Sequence, residues 1–178
     1  MNSNSVSSEK KSSRFGLRPL PEGTTFKKTK MLVGTWFGSG RIKPAAGTMG
    51  SLAAIPFGVA IQATVGMVGL MIATALLLWM GTIAADYYGR KSGKKDDQAI
   101  VVDEVVGMWI AGFAAGTDWG LWAVAFILFR FFDITKPFPA SYFDKSEKGG
   151  ALYVMLDDVV AGIYAFLGVA SASIITLF

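Results

Sequence analysis

The sequence predicts an all-α protein: a compact multi-helix bundle, membrane-embedded, with about five apolar helices plus short connecting helices. Three observations carry this reading. Hydrophobic residues fill 52% of the 178 positions, more than an ordinary water-soluble domain carries. The run 52–85 contains no charged residue. Basic residues gather in alternate connecting segments, as in chains that cross a bilayer repeatedly.

Taken in order, residues 1–30 are rich in Ser, Lys and Arg and lack the apolar region of a signal peptide, so they are expected to form a flexible basic arm. Residues 31–178 are expected to form a single helical domain. At about 1.5 Å per residue, the run 52–85 is too long for one crossing of a core about 30 Å thick, so two helices are expected, turning near Gln62 to Gly66. A polar loop, 86–98, with Arg90, Lys91, Lys94 and Lys95 precedes a third helix over 99–115. A fourth helix, 121–134, closes before Pro137, because the residue preceding a proline disfavours the helical region. A last helix spans 153–177. The arm, the 41–43 segment, the 86–98 loop and the 136–148 loop hold the basic residues and are expected on the cytoplasmic side, with the turns near 62–66 and 116–120 opposite.

Seventeen basic against thirteen acidic residues give a net charge of +4. Much of the excess lies in the arm, and no basic stripe interleaved with exposed aromatics follows, so the charge points to an anionic membrane surface and not to nucleic acid. Cysteine and histidine are both absent. That excludes disulfides, thiolate nucleophiles, histidine general bases and ordinary zinc sites. Chemistry must come from carboxylates, Lys, Arg, hydroxyls or backbone, and a bound metal should be hard and oxygen-loving, magnesium first.

The intrahelical charges share one end of the expected bundle. Asp96, Asp103 and Glu104 open helix three, Arg130, Asp133 and Lys136 close helix four, and Asp157 and Asp158 open helix five. A charge inside an apolar helix is costly unless a metal, a paired cation or water offsets it. Neighbouring residues on a helix point about 100° apart, so one member of each acidic pair can bind a metal while the other makes an outer contact. Arg130, Asp133 and Lys136 recur every three residues, a spacing that suits a phosphate clamp. Gly47, Thr48, Gly50 and Ser51 begin a helix, where unpaired amides, a capping Thr48 hydroxyl and the dipole favour phosphate. Each feature also has a structural explanation: small residues allow close helix packing, and interfacial charges form ion-pair networks. Met108 and Trp109 are expected in the core or at the membrane interface.

Four blocks carry a resemblance. FGSG with AGTMGSLAAIP over 37–56, DDQAIVVDEVVGMW over 96–109, FRFFDITKPFP over 129–139, and Asp157-Asp158 followed by VVAG resemble, in order, the phosphatidylglycerophosphatase A family of bacterial lipid phosphatases. Similar proteins often place Pro directly before the Gly-Thr pair, where this chain has Ala46. The resemblance implies a Mg²⁺-dependent phosphatase acting on phosphatidylglycerophosphate in membrane lipid at the cytoplasmic face of the inner membrane. It implies Asp96, Asp103, Glu104, Asp133, Asp157 and Asp158 as the acidic set, with Asp103, Glu104, Asp157 and Asp158 on the metal. It also implies phosphate contacts from the Gly47–Ser51 stretch, Arg130 and Lys136. Two other classes compete: a transporter or ion-conducting bundle, which would scatter carboxylates toward mid-bilayer, and another lipid phosphotransferase, whose Asp-Gly motif with a following Ala-Arg is missing.

Overall fold

The structure, a computed structural model, describes residues 15–21, 24–25, 29–93, 97–145 and 150–175. Asp96 lies outside the described residues. Among the described residues six α-helices follow one another: α1 (Thr29–Gly34), α2 (Ala46–Ser92), α3 (Val102–Ala111), α4 (Trp119–Thr135), α5 (Ala140–Lys145) and α6 (Gly150–Ile175). Two-residue strands β1 (Gly16–Leu17) and β2 (Ile42–Lys43) pair antiparallel, so part of the stretch 1–30 is tied to the segment before α2.

Straight, the 47 residues of α2 would extend about 70 Å. Instead the backbone leaves the helical region at Gly66, with φ 69° and ψ −171°, a combination that is essentially glycine's alone. The two arms reverse there. Gly50 on the first lies against Val101 and Gly81 on the second against Val102, adjacent residues that a straight helix could not bring to two positions about 46 Å apart. The turn expected near 62–66 is therefore present at Gly66. The two helices expected over 52–85 are the two arms of α2, and α2, α3, α4 and α6 supply the apolar helices. Of these, α2 and α6 are long and apolar enough to cross a membrane.

At ten residues, α3 is shorter than the expected 99–115 and reaches only about 15 Å, half the thickness of a bilayer core. The chain before it runs as buried loop, with the Val101 amide donating to the Gly34 carbonyl at 2.9 Å, and the chain after it tightens into a 3₁₀ turn at Phe113–Ala115. This short helix is the axis of the molecule: Val102, Val105, Val106 and Met108 have no exposed surface, and Trp109 is buried with its indole donating to the Ala54 carbonyl at 2.9 Å. Both α2 arms, α4 and α6 pack around it.

α3 meets α6 backbone to backbone at Gly107 and Gly162. A Cβ on Gly162 would stand 2.5 Å from the Gly107 carbonyl oxygen. Gly162→Leu should therefore push the two helices apart, at a cost of about 3 kcal/mol, read as a fall in the thermal unfolding midpoint in detergent; an unchanged midpoint would contradict the close crossing.

The outer surface is apolar. Val68, Ile72 and Leu76 on α2, Ile127 and Phe131 on α4, and Leu167 on α6 are all exposed. Water tolerates such a surface poorly and hydrocarbon tolerates it well. Polar contacts concentrate at the two ends of the bundle. At one end Gln62 donates to the Gly112 carbonyl at 2.7 Å, Trp122 donates to the Gly116 carbonyl at 3.0 Å, and Asp118 caps α4 by accepting from the Gly120 and Leu121 amides. The other end holds the acidic cleft.

Candidate active site

Four helices converge on a cleft of about 370 Å³. The start of α2 gives Gly47 and Thr48, the first turn of α3 gives Asp103 and Glu104, the end of α4 gives Arg130, Asp133 and Lys136, and α6, two turns in from its start, gives Asp157 and Asp158. Gly50 and Ser51 do not line it: Gly50 is packed on Val101, and the buried Ser51 hydroxyl donates back to the Gly47 carbonyl at 2.9 Å.

Asp103, Glu104 and Asp158 each place a carboxylate oxygen within 4.8 Å of the others, a spacing that suits a shared cation. Asp157 is directed elsewhere. Its Oδ2 accepts from Lys136 Nζ at 2.7 Å, and its Oδ1 accepts from the Asp158 amide at 2.9 Å. Of this adjacent pair only Asp158 faces the cluster, whereas Asp103 and Glu104 both do. The cleft lining carries five carboxylates against three cations, Arg18, Arg130 and Lys136, leaving a net charge of −2 if all are ionised. Glu104 Oε2 is buried and has no hydrogen-bond partner. An orphaned carboxylate oxygen beside two others, in a negative pocket of hard donors, is what a divalent cation such as Mg²⁺ requires.

Burial, with smaller contributions from the charges of Asp158 and Asp133 and opposed by a hydrogen bond with Asp103, pushes the Glu104 carboxyl up from 4.5 to about 8. Raised this way, the folded protein without a cation holds a proton that the unfolded chain releases above about 4.5. Its stability should accordingly fall as pH rises between about 4.5 and about 8. A cation bound at the cluster would replace that proton, so thermal unfolding in chelator should show the fall and added Mg²⁺ should reverse it; a flat pH profile in chelator would contradict this environment for Glu104.

Arg130 and Lys136 do not act as equivalent arms of one clamp. Arg130 Nη1 lies 2.6 Å from Asp133 Oδ2 on the same face of α4. Lys136 stands just past the helix end in the left-handed region, φ 43° and ψ 60°, a conformation a non-glycine residue adopts at some cost. From there its ammonium bridges Asp157 and, at 2.5 Å, Asp144 of α5. Burial would lower the Lys136 pKa, but its hydrogen bonds with Asp144 and Asp157 outweigh that and raise it.

The α2 helix begins at Ala46, capped by no side chain, so Thr48 is not the capping residue expected from sequence and lies inside the first turn. Its amide and those of Ala46 and Gly47 precede the first i→i−4 bond, from Met49 to Ala45 at 3.0 Å, and so lack intrahelical acceptors. Gly47 touches the acidic cluster: a Cβ there would collide with Glu104 Oε1 and sit 3.1 Å from Arg130 Nη1.

Arg18, in the stretch expected to be an arm, lines the cleft as well. Its guanidinium donates to the Gly40 carbonyl at 3.2 Å and to the Gln98 carbonyl and side chain at 3.1 and 2.8 Å. The sequence signal for it was only a lone basic residue before a proline pair; its partner is 80 positions away.

Comparison with known proteins accords with this geometry. A protein of Haemophilus influenzae named Phosphatidylglycerophosphatase A is 40% identical over 154 residues, covering 83% of this chain and 94% of its own length. A protein of the same name from Escherichia coli is 38% identical over 140 residues, covering 74% and 76% respectively. A Bacteroides thetaiotaomicron protein named "Putative phosphatidylinositol-3-phosphatase" is 38% identical over 148 residues, covering 80% of this chain and 92% of its own. No solved structure matches. The profile described as Phosphatidylglycerophosphatase A matches residues 32–173, which take in every helix that builds the cleft, and the chain belongs to that family.

Proposed function

We propose that this chain removes the terminal phosphate of phosphatidylglycerophosphate, giving phosphatidylglycerol and inorganic phosphate, as a multi-pass protein of the bacterial inner membrane with its cleft on the cytoplasmic side. The observation that carries the reading is the juxtaposition, in one cleft, of three clustered carboxylates, two cationic side chains and a helix N-terminus. Together they make a site for a phosphomonoester dianion beside a divalent cation. The two membrane-capable helices and the apolar outer surface suit a substrate whose tails stay in lipid.

Hydrolysis breaks the bond between phosphorus and the glycerol oxygen and forms one from phosphorus to a water oxygen, which asks for positioning and charge neutralisation above all. Asp103, Glu104 and Asp158 would hold Mg²⁺, which when bound supplies positive charge to a phosphate oxygen and makes water more acidic. The Ala46, Gly47 and Thr48 amides would receive phosphate oxygens, and the missing side chain at Gly47 lets the Glu104 carboxylate lie against this helix start. Arg130, oriented by Asp133, shares the phosphate charge. Asp133, a carboxylate of the same cleft, would take the proton of the attacking water and return it to the leaving glycerol oxygen. Asp157 holds Lys136 at the mouth, where its ammonium meets the incoming dianion.

The relative with a phosphoinositide name supports a second reading, a phosphatase for inositol lipid phosphates with the same chemistry. The transporter reading is disfavoured because the carboxylates gather in one cleft at a helix-end depth. Phosphate release by the purified protein in phosphatidylcholine vesicles separates these. Phosphatidylglycerophosphate should be turned over at least tenfold faster than phosphatidylinositol 3-phosphate; the reverse order would shift the assignment to inositol lipids, and no release from either would overturn it.

A further inference from the structure

A second, apolar groove of about 340 Å³ lies between the first arm of α2 and α4. It continues the cleft along the same two helices. On α2, Leu52 follows Thr48 by one turn and Pro56 by two, so the three share a face. On α4, Phe126 and Ile127 lie one turn before Arg130 and Ala123 two turns before it. The seven residues from Arg130 to Ala123 span about 10 Å along the helix axis, directed away from the charged end toward the end marked by Gln62 and Trp122. The buried Trp122 and Ile55 form the floor, while Leu52, Ala123 and Ile127 are exposed along the walls.

We infer that this groove holds one acyl chain of the lipid phosphomonoester whose headgroup occupies the cleft. The inference rests on the lipid phosphatase reading and adds to it: the chain does not simply draw a headgroup down from bulk lipid but reads hydrocarbon as well. A tail seated between Leu52 and Phe126 points the ester end of the lipid at Thr48 and Arg130. That fixes the phosphate's approach and supplies binding from a part of the substrate that does not react. An outward apolar face filled by any neighbouring lipid would give no such alignment, and the two cases differ in one measurable way: dependence on the headgroup.

Two experiments distinguish them. In the first, the protein in vesicles is photolabelled with phosphatidic acid carrying an acyl-chain diazirine and, separately, with phosphatidylcholine carrying the same chain. Adducts within 52–56 and 119–127 should be at least fivefold more abundant with the phosphatidic acid; equal labelling by both lipids would show ordinary boundary lipid and overturn the proposal. This readout needs no turnover, so it stands apart from failure of the phosphatase reading.

In the second, Ala123→Trp fills the groove from an exposed position, while Val124→Trp places the same ring on the next residue, also exposed but outside the groove. For Ala123→Trp, kcat/KM on long-chain phosphatidylglycerophosphate should fall at least tenfold, with release from the dibutyryl analogue within twofold of the parent. Val124→Trp should match the parent on both. Equal losses on both substrates, or equal behaviour of the two variants on the long-chain lipid, would overturn the groove assignment.

Discussion

Asp158→Asn should abolish phosphate release, by at least about 10²-fold, while leaving the cation-free protein as stable as the parent or more so. The two halves of the prediction have one cause. Asp158 lies among the carboxylates of Asp103, Asp133 and Asp157, and its own carboxyl is buried. Such crowding serves a cation and works against the fold in the cation's absence, so neutralising one member should raise stability in chelator by about 1 kcal/mol. Added Mg²⁺ should stabilise the parent and leave the variant unmoved. Thermal unfolding with and without chelator, alongside a phosphate assay, reads all three. A variant that is inactive because it is unfolded would refute this explanation as surely as one that is fully active.

The second large effect is expected at Lys136. Replacing it with Met removes the only cation between Asp157 and Asp144 among the described residues. Asp157 is then left buried without its partner, which should cost about 2 kcal/mol of stability, and phosphate release should fall by about 10²-fold as the mouth of the cleft loses its ammonium. Combining Lys136→Met with Asp157→Asn separates the two contributions. Stability should return most of the way, because the orphaned charge is gone, while activity should not. Recovery of both together would mean that Lys136 serves only to neutralise Asp157.

Much of this arrangement is legible in the sequence because it is written in local spacing. The reversal at Gly66 follows from an apolar run too long for one crossing, and the gathering of charges at one end follows from which helix termini carry them. Lys136 marks the limit of such reasoning. Its three-residue spacing from Asp133 implies a shared helical face, but α4 ends at Thr135, and a left-handed residue redirects the ammonium to α5 and α6. Thr48 fails as a cap for a related reason: helix starts depend on the preceding backbone, and α2 begins two residues earlier. Arg18 was hidden altogether. It reaches the cleft through a two-residue β pairing with Ile42–Lys43 and hydrogen bonds to Gln98, and contacts of that sequence separation leave no periodic trace. The length of α3 was overestimated because apolar loop residues such as Ile100 and Val101 are as buried as the helix they precede.

We read the acidic cleft walled by α2, α3, α4 and α6 as a cation-dependent lipid phosphomonoesterase site. It is tested most directly by free phosphate released from phosphatidylglycerophosphate by the purified protein in vesicles, first with Mg²⁺, then with excess chelator, then with Mg²⁺ restored, and in parallel with Asp103→Asn. Release should stop with chelator, return with Mg²⁺ and be missing throughout from the variant. Release that continues unchanged in chelator, or a folded Asp103→Asn protein that keeps near-parental turnover, would contradict it.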